Sequence, residues 1–280
     1  MEVLVADCLG FCGGVKHALS LAYMTLRDTT VDGIKLYLYG ELVHNANVVN
    51  DFIKKGASII GSSNSIREKG TVIIRAHGIC DDERKKLEDK GVEIVDATCP
   101  VVLKGQSLVR SSLLPVLIFG YKGHSEVTTL VGSRKDGAFV ISEENDLFSL
   151  EKGEYNGVVQ TTFSTSLLDD LIEKASKMGI RVNVLNEICK ASVNRRAGVK
   201  KLLDKVDAFV VVGDHNSANT RELVSIVEKA GLKCFLVEDE NDISEEIYSY
   251  KRVGLSAGAS TPKEIYDRVI KNLEDESDRE

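Results

Sequence analysis

Apolar residues occur along the chain in short runs, and longer stretches with helical periodicity separate these runs. The runs predict strands at 3–6, 35–39, 71–75, 92–96, 115–121, 138–142, 157–161, 181–185, 208–213, 233–237 and 253–257. The intervening periodic stretches predict helices at 13–27, 82–90, 166–178, 195–206, 217–230 and 262–274. Because strands and helices alternate almost to the end of the chain, the pattern favours α/β architecture with parallel sheets built from βαβ units.

Three cysteines, Cys12, Cys99 and Cys189, each lie in a turn between a strand and a helix. They are separated by 87 and 90 residues. The near-equal spacing suggests three similar modules, each presenting one cysteine at the carboxyl end of a strand, where open α/β sheets bind ligands. If the modules pack around a pseudo-threefold axis, the three thiols converge. We expect modules at 13–97, 98–190 and 191–280, the third joined by the N-terminal segment 1–12.

Thiolates are soft ligands suited to zinc, copper(I) or iron–sulfur clusters. A structural zinc site usually has local cysteine pairs and four ligands, whereas these three cysteines are far apart in sequence. Three thiolates on a four-iron cluster would leave one iron free to bind substrate. The alternative is that each cysteine is a small buried hydrophobe. Of the other three, Cys234 is expected in a core strand, and Cys80 follows a histidine loop and has no obvious partner. Cys8 is interpreted as a bystander, with metal binding by its C-x3-C pair with Cys12 as the alternative.

Composition narrows the class of protein. The 280 residues are 43% hydrophobic and carry a net charge of −7, which disfavours nucleic acid as a partner. The longest apolar run, 113–119, is far shorter than the roughly 20 residues of a membrane-spanning helix, so no membrane role is expected. The first residues lack the pattern of a signal peptide. We therefore expect a cytoplasmic protein, in which six cysteines act as ligands or catalysts rather than in disulfides.

Three of the five histidines, His44, His77 and His124, lie in polar turns that follow apolar strands. Such side chains could donate hydrogen bonds, and some positive charge, to a phosphate group. Metal ligation and a purely structural role are the alternatives. Glu126 lies two residues after His124, and a carboxyl group buried in that turn would have a raised pKa and could deliver protons. An exposed carboxylate is its simpler interpretation.

Hydroxyl and amide donors follow other strands. Thr161 ends one strand, Ser217 and Asn219 open a helix, and Ser260 precedes the last helix. The free N–H groups of a helix N-terminus can bind an anion, although Ser and Asn also cap helices routinely. The chain has neither a GxGxxG nor a GxxxxGK[ST] loop, so a dinucleotide or Walker nucleotide site is not expected.

These motifs together resemble the 4-hydroxy-3-methylbut-2-enyl diphosphate reductase family, which acts last in the non-mevalonate isoprenoid pathway. The matching stretches are GFCGGV at 10–15, ELVHN at 41–45, RAHG at 75–78, DATCP at 96–100, GHSEV at 123–127, QTTFS at 160–164, CKASVNR at 189–195, NSAN at 216–219 and AGAS at 257–260. Each is weak alone, but nine in family order are specific and extend over nearly the whole chain.

The resemblance implies a trefoil of three α/β modules around a central [4Fe–4S] cluster, with one iron not held by cysteine. It implies reduction of the allylic diphosphate to isopentenyl and dimethylallyl diphosphate, with electrons from a ferredoxin- or flavodoxin-like donor. Glu126 resembles the family's proton-delivery residue. The implied cluster ligands are Cys12, Cys99 and Cys189, and the implied diphosphate ligands are His44, His77, His124, Thr161, Ser217, Asn219 and Ser260.

Some positions depart from the commonest family pattern. Ala218 stands where a second serine is usual, Ser125 and Cys80 where proline is frequent, and His215 where lysine is. At position 218 any contact with an anion must therefore come from the backbone N–H. None of the four is an implied ligand or the implied acid, so the implied activity is unaffected.

Two other functions fit parts of the pattern. An iron–sulfur redox sensor without turnover would need an output surface such as a basic patch, and the acidic net charge does not provide one. A zinc-dependent hydrolase would need closely spaced ligands. The three histidines of the polar turns are instead separated by 33 and 47 residues.

The implied ligand set gives a first prediction. Changing Cys12, Cys99 or Cys189 to Ser should abolish turnover and impair cluster assembly, because a three-thiolate site has no spare ligand. The matched controls are the same change at Cys8, Cys80 and Cys234, which should leave cluster content near wild type. Iron and sulfide analysis of the six oxygen-free proteins measures this, and normal cluster content and turnover in Cys99→Ser would contradict the assignment.

Overall fold

The computed structural model describes residues 1–277 and contains three sheets of four strands each, all paired in parallel. The strands are β1 (Glu2–Val5), β2 (Lys35–Tyr39), β3 (Ser58–Ile60), β4 (Gly70–Ile74), β5 (Glu93–Asp96), β6 (Val116–Phe119), β7 (Ala138–Ile141), β8 (Gly153–Val159), β9 (Ile180–Val184), β10 (Ala208–Val212), β11 (Lys233–Val237) and β12 (Arg252–Ala257). The prediction of three α/β modules with parallel sheets is confirmed.

Helices follow most strands, as a parallel sheet requires. They are α1 (Gly13–Asp32), α2 (Ala46–Lys54), α3 (Asp81–Asp89), α4 (Pro100–Ser111), α5 (Ser125–Val131), α6 (Thr165–Lys177), α7 (Lys190–Lys200), α8 (Ala218–Lys229) and α9 (Lys263–Ser277). Within residues 1–277, none of them is long and apolar enough to cross a membrane.

The three sheets have the same strand order when each is read from the edge strand that precedes a predicted cysteine ligand. The orders are β1-β12-β10-β11, β5-β4-β2-β3 and β9-β8-β6-β7. In each sheet the first strand is an edge strand, and the third strand is paired on both sides. Equivalent loops of the three sheets can therefore be compared directly.

The chain forms two compact units. The first contains residues 1–15, 44–46 and 189–280, and its sheet includes β1 and β12, which pair from Glu2–Arg252 to Val5–Leu255. The second contains residues 16–43 and 47–188, with the sheets of β2–β5 and β6–β9. The module boundaries expected from sequence, 13–97, 98–190 and 191–280, stay a prediction.

The third strand of each sheet is buried, and its sequence shows why. In β10 all five residues of AFVVV are buried. Val210 and Val212 belong to one core cluster and Phe209 and Val211 to another, so apolar side chains cover both faces of the strand. A strand covered on both faces is expected to be continuously apolar rather than alternating. Fully burying each such side chain contributes about 1.5–3 kcal/mol.

Several elements differ from the sequence prediction. The pattern missed β3, an edge strand of three residues, SII, that is too short for a period to be recognised. It also omitted α2, α4 and α5. The helix predicted at 195–206 begins at Lys190 and ends at Lys200, because it starts directly after Cys189 in the turn. The backbone from 201 to 205 forms turns instead of continuing the helix.

A close approach in the first unit generates a stability prediction. A Cβ on Gly198 of α7 would lie 2.7 Å from the carbonyl oxygen of Asp7, a backbone atom that cannot move independently. Alanine favours a helix over glycine by about 1 kcal/mol, but overpacking typically costs about 1–3 kcal/mol. Gly198→Ala should therefore lower the thermal unfolding midpoint, measured by circular dichroism.

Gly61→Ala is the matched control, since nothing lies within 4 Å of a Cβ built there. It should leave the midpoint almost unchanged. If Gly198→Ala is as stable as the wild type and Gly61→Ala, α7 can move away from the segment around Asp7.

Candidate active site

The three predicted cysteine ligands occupy the same position in their sheets. Cys12, Cys99 and Cys189 each follow the edge strand and immediately precede a helix, α1, α4 and α7 respectively. Cys99 has φ −58° and ψ 132°, and Cys189 has φ −57° and ψ 129°, so their backbones have almost the same conformation. All three are half-buried, and none of them forms a disulfide. The first unit contains Cys12 and Cys189, and the second contains Cys99.

One backbone hydrogen bond joins each of two cysteine loops to the loop after the neighbouring strand. The N–H of Cys12 donates to the carbonyl of Ala259 at 3.2 Å, and the N–H of Cys99 donates to Ala76 at 3.0 Å. The residues after these alanines are Ser260 and His77, both predicted diphosphate ligands. In each case a predicted cluster ligand and a predicted diphosphate ligand are thus held in adjacent loops of one sheet.

The other three cysteines have different surroundings. Cys8 is exposed and has φ 63°. Cys80 precedes α3, but its Cβ lies against Gly132, where a Cβ would meet it at 2.2 Å. Cys234 lies within β11, as predicted, and burial raises the pKa of its thiol to about 12. A thiol that stays protonated over the physiological range is a poor metal ligand.

Two predicted histidines are neighbours in the second unit. The ring of His77 lies edge-on to that of His124, with 5.4 Å between centroids and 87° between planes. His124 caps α5, because its Nδ1 accepts a hydrogen bond from the N–H of Glu126 at 3.1 Å. In the neutral ring the proton is therefore on Nε2, which is the nitrogen that can donate to an anion. His44 follows β2 along the chain, is half-buried and belongs to the first unit.

Glu126 is buried in the first turn of α5, with 2% of its surface exposed. Its Oε1 accepts the N–H of Thr161 at 2.8 Å, and its Oε2 accepts the hydroxyl of Thr161 at 2.6 Å. Burial raises the pKa of the carboxyl group to about 7, while the two hydrogen bonds from Thr161 oppose this shift. A carboxyl group with this pKa can both hold and release a proton near neutral pH. The hydroxyl proton of Thr161 is used in this contact while Glu126 is ionised, so the hydroxyl can donate to a phosphate oxygen only when Glu126 is protonated.

Predicted diphosphate ligands of the first unit lie at one helix end and in one turn. Ser217 caps α8, since its hydroxyl accepts from the N–H of Thr220 at 3.4 Å. Asn219 Oδ1 accepts from the N–H of Ala259 at 3.0 Å, which fixes the orientation of the amide. Its Nδ2 is buried and has no hydrogen-bond partner in the described part of the chain. Ser260 lies in a half-buried turn, three residues after the end of β12.

Sequence reasoning assigned no role to two buried polar residues, Gln160 in the loop after β8 and Arg195 in α7. Gln160 is completely buried, accepts the N–H of Tyr121 through Oε1 at 2.9 Å, and donates through Nε2 to Thr162 at 2.9 Å. It therefore fixes the loop after β8 against the loop after β6. Arg195 is 2% exposed and donates to the carbonyl of Gly10 at 2.5 Å. The sequence feature that could have identified Gln160 is a lone amide at the end of an apolar strand. For Arg195 it is a charged residue on the same face of α7 as Ser192 and Val199, which are buried.

The sequence of the chain is similar to those of a known protein family. The family model described as LytB protein matches residues 3–274. The chain belongs to the LytB family. Relatives named 4-hydroxy-3-methylbut-2-enyl diphosphate reductase include that of Solidesulfovibrio magneticus, with 35% identity over 98% of this chain and 99% of the relative. That of Thermoanaerobacter sp. has 34% identity over 98% of this chain and 96% of the relative.

Solved structures agree with this LytB assignment. The E-1-hydroxy-2-methyl-but-2-enyl-4-diphosphate reductase from Plasmodium falciparum superimposes with a TM-score of 0.90 at 26% identity, covering 96% of this chain and 87% of that one. A structure of (E)-4-hydroxy-3-methyl-but-2-enyl diphosphate reductase, the terminal enzyme of the non-mevalonate pathway, gives 0.68 at 32% identity, covering 98% and 100%. The predicted family is therefore confirmed.

The contact between Glu126 and Thr161 gives a prediction for this LytB protein. The Thr161 hydroxyl stabilises the carboxylate form, so Thr161→Val should raise the pKa of Glu126 above its value of about 7. The carboxyl group should then stay protonated to higher pH. Infrared difference spectra over a pH titration measure this, with Glu126→Gln identifying the carboxyl band.

Thr128→Val is the matched control, because Thr128 lies exposed on the same helix and its hydroxyl donates to the His124 carbonyl instead. Its Glu126 band should titrate as in the wild type. An unchanged or lowered pKa in Thr161→Val would mean that the hydroxyl does not set the protonation of Glu126.

Proposed function

We propose that this chain catalyses the reductive dehydroxylation of 4-hydroxy-3-methylbut-2-enyl diphosphate to isopentenyl and dimethylallyl diphosphate, the last step of the non-mevalonate isoprenoid pathway. The single observation that carries the proposal is Glu126, a buried carboxyl group whose pKa is raised to about 7. It lies two residues after His124, whose ring packs edge-on against that of His77. Perturbed carboxyl groups of this kind are typical of catalytic acids. Membership of the LytB family and the names of its members support the same reaction.

In this proposal the diphosphate is bound by imidazole, hydroxyl and amide groups rather than by lysine. The residues are His44, His77, His124, Thr161, Ser217, Asn219 and Ser260. The buried Nδ2 of Asn219 and the Nε2 of His124 are donors of defined orientation, which supports this role. Clamping the diphosphate at several points would fix the position of the alcohol end of the substrate relative to Glu126, which is how binding lowers the entropic part of a barrier.

The same proposal assigns Cys12, Cys99 and Cys189 as ligands of a [4Fe–4S] cluster with one iron not held by cysteine. The residues present fit such a group. Three half-buried cysteines outside any disulfide each precede a helix, and the partial positive charge of a helix N-terminus favours an anionic ligand set. When bound, the cluster would supply electrons and a Lewis-acidic iron for the alcohol oxygen.

Glu126 has the role of proton donor in this scheme. Replacement of the C–O bond by a C–H bond consumes two electrons and two protons and releases one water. A protonated Glu126 can give its proton to the departing hydroxyl oxygen, which as hydroxide would be a poor leaving group. The carboxylate that forms is then held by the N–H and hydroxyl of Thr161. Because the acid must be protonated, the rate should decline as the pH rises through about 7.

Electrons reach such a site singly, so the partner we propose is a ferredoxin- or flavodoxin-like one-electron donor. A cluster with an open iron is sensitive to oxygen, and six free cysteines persist most readily in a reducing compartment. These features support a cytoplasmic location.

Replacing Glu126 with Gln tests the function. The amide keeps the volume and can accept one hydrogen bond, but it cannot transfer a proton at neutral pH. Losing a general acid typically costs about 10²–10⁴ in rate. Glu126→Gln should lose turnover on that scale, with an artificial donor in excess, while retaining its cluster and binding the allylic diphosphate.

Glu173→Gln is the control, since Glu173 is exposed and pairs only with Lys177 of the same helix among the contacts described. It should turn over normally. A Glu126→Gln enzyme within about tenfold of wild type, below the range for a lost acid, would remove Glu126 from the mechanism. A wild-type protein that holds iron and sulfide but never reduces the substrate would exclude the reductase function.

A further inference from the structure

Arg195 is a buried cation on α7, the helix that begins directly after Cys189. Its Nη2 donates to the carbonyl of Gly10 at 2.5 Å. Its Nε and Nη1 are also buried and have no hydrogen-bond partner in the described part of the chain. Burying a guanidinium group with most of its donors unused is costly, so a negative group is expected to compensate its charge.

The segment that Arg195 contacts carries Cys12, a predicted cluster ligand. Gly10 has φ +65°, and a Cβ there would lie 2.6 Å from the ring of Tyr266 and 2.9 Å from the carbonyl oxygen of Thr261. The segment around Gly10 therefore packs closely against Tyr266 of α9 and the loop before it. From α7, the hydrogen bond of Arg195 contacts the same segment. Thus one side chain connects the helix that begins after Cys189 with the segment that carries Cys12.

Three cysteines of the first unit act electrostatically on Arg195. Burial lowers the pKa of its guanidinium group, and the interaction with Cys12, Cys8 and Cys189 opposes that shift. The adjacent Arg196 differs, because a carboxylate oxygen of Glu222 lies 3.9 Å from its Nη1. Two consecutive arginines of α7 therefore have different electrostatic partners: a carboxylate for Arg196, and the three cysteines of the first unit for Arg195.

We propose that Arg195 is a positioning residue for the cluster: it holds the Cys12 segment in place and supplies a fixed positive charge beside Cys12 and Cys189 that favours the reduced state. This inference rests on the proposed function, since it presumes a cluster on these cysteines. Adding one electron makes the cluster and its thiolates more negative, and a nearby buried cation stabilises that form. Arg195 thereby raises the reduction potential and makes the electron transfer from a modest donor more favourable.

The test uses oxygen-free holoprotein in four forms: wild type, Arg195→Gln, Arg195→Lys and Lys200→Gln. Lys200 lies exposed on the same helix, so its change removes the same charge where solvent screens it. The measurements are a dithionite and dye-mediated redox titration followed by electron paramagnetic resonance, and the rate of iron loss to an added chelator. Turnover is measured in parallel but does not decide this inference.

Arg195→Gln should lower the ratio of reduced to oxidised cluster at a given potential by about tenfold or more, equivalent to about 59 mV for one electron. It should also lose iron several-fold faster, because the Cys12 segment is released. Arg195→Lys keeps the charge and should keep the potential, but it should lose iron faster than wild type. Lys200→Gln should match wild type in both measurements.

Wild-type potential and wild-type iron loss in Arg195→Gln would overturn the inference while leaving the proposed function intact. If Arg195→Gln holds no cluster, the Arg195→Lys protein provides the test. Faster iron loss from Arg195→Lys at an unchanged reduction potential supports the inference, and iron loss at the wild-type rate overturns it. If the wild-type protein itself holds no cluster, the proposed function fails, and this inference fails with it.

Discussion

The structure depends on one constraint of parallel sheets, which is that all strands of a sheet end at the same edge. Because apolar side chains cover both faces of β10, that sheet can present polar side chains to a ligand only in its loops. The common strand order then fixes which loops are neighbours. A predicted cysteine ligand follows the first strand of each sheet. A predicted diphosphate ligand follows the second, namely Ser260 after β12, His77 after β4 and Thr161 after β8.

Two buried ionisable groups show how these loops acquire their chemistry. In the second unit, burial raises the pKa of Glu126 to about 7 despite the two opposing hydrogen bonds from Thr161, so a proton is available near neutral pH. In the first unit, Arg195 is a buried cation whose electrostatic partners are cysteines rather than carboxylates. Desolvation disfavours the charged form of both groups. For Glu126 the result is an acid. For Arg195 it is a buried positive charge that an anionic cluster would compensate.

Much of the fold could be predicted because its signals are local. Continuous apolar runs such as β10 and β6 identify strands covered on both faces, and their alternation with helices indicates parallel sheets. The three-residue edge strand β3 gave too short a pattern, and α7 was placed five residues late because its start depends on the turn at Cys189. The common strand order was also not predictable, because the period of hydrophobic residues does not indicate which strands pair with each other.

The candidate site divides in the same way. Residue types in turns after strands indicated Glu126 and the histidines, but the burial of Glu126 and its two hydrogen bonds from Thr161 required the folded loops. The sequence likewise left open whether Ser217 caps a helix, and in the structure it does. The sequence could not tell whether Asn219, two residues later, has the same capping role. In the structure its Oδ1 accepts from the N–H of Ala259, and its Nδ2 has no hydrogen-bond partner among the described residues. Arg195 was given no role, because nothing in its sequence neighbourhood indicates a contact with Gly10, 185 residues earlier.

The central claim is that the chain replaces an allylic hydroxyl group by hydrogen and leaves the diphosphate intact. Turnover of 4-hydroxy-3-methylbut-2-enyl diphosphate in heavy water, with an excess of reduced dye under anaerobic conditions, tests it most directly by product mass. The new C–H bond takes its proton from solvent-exchanged groups, so isopentenyl and dimethylallyl diphosphate should each carry one carbon-bound deuterium. Release of inorganic phosphate or diphosphate, or recovery of unreduced alcohol from a protein with its full iron content, would contradict the account.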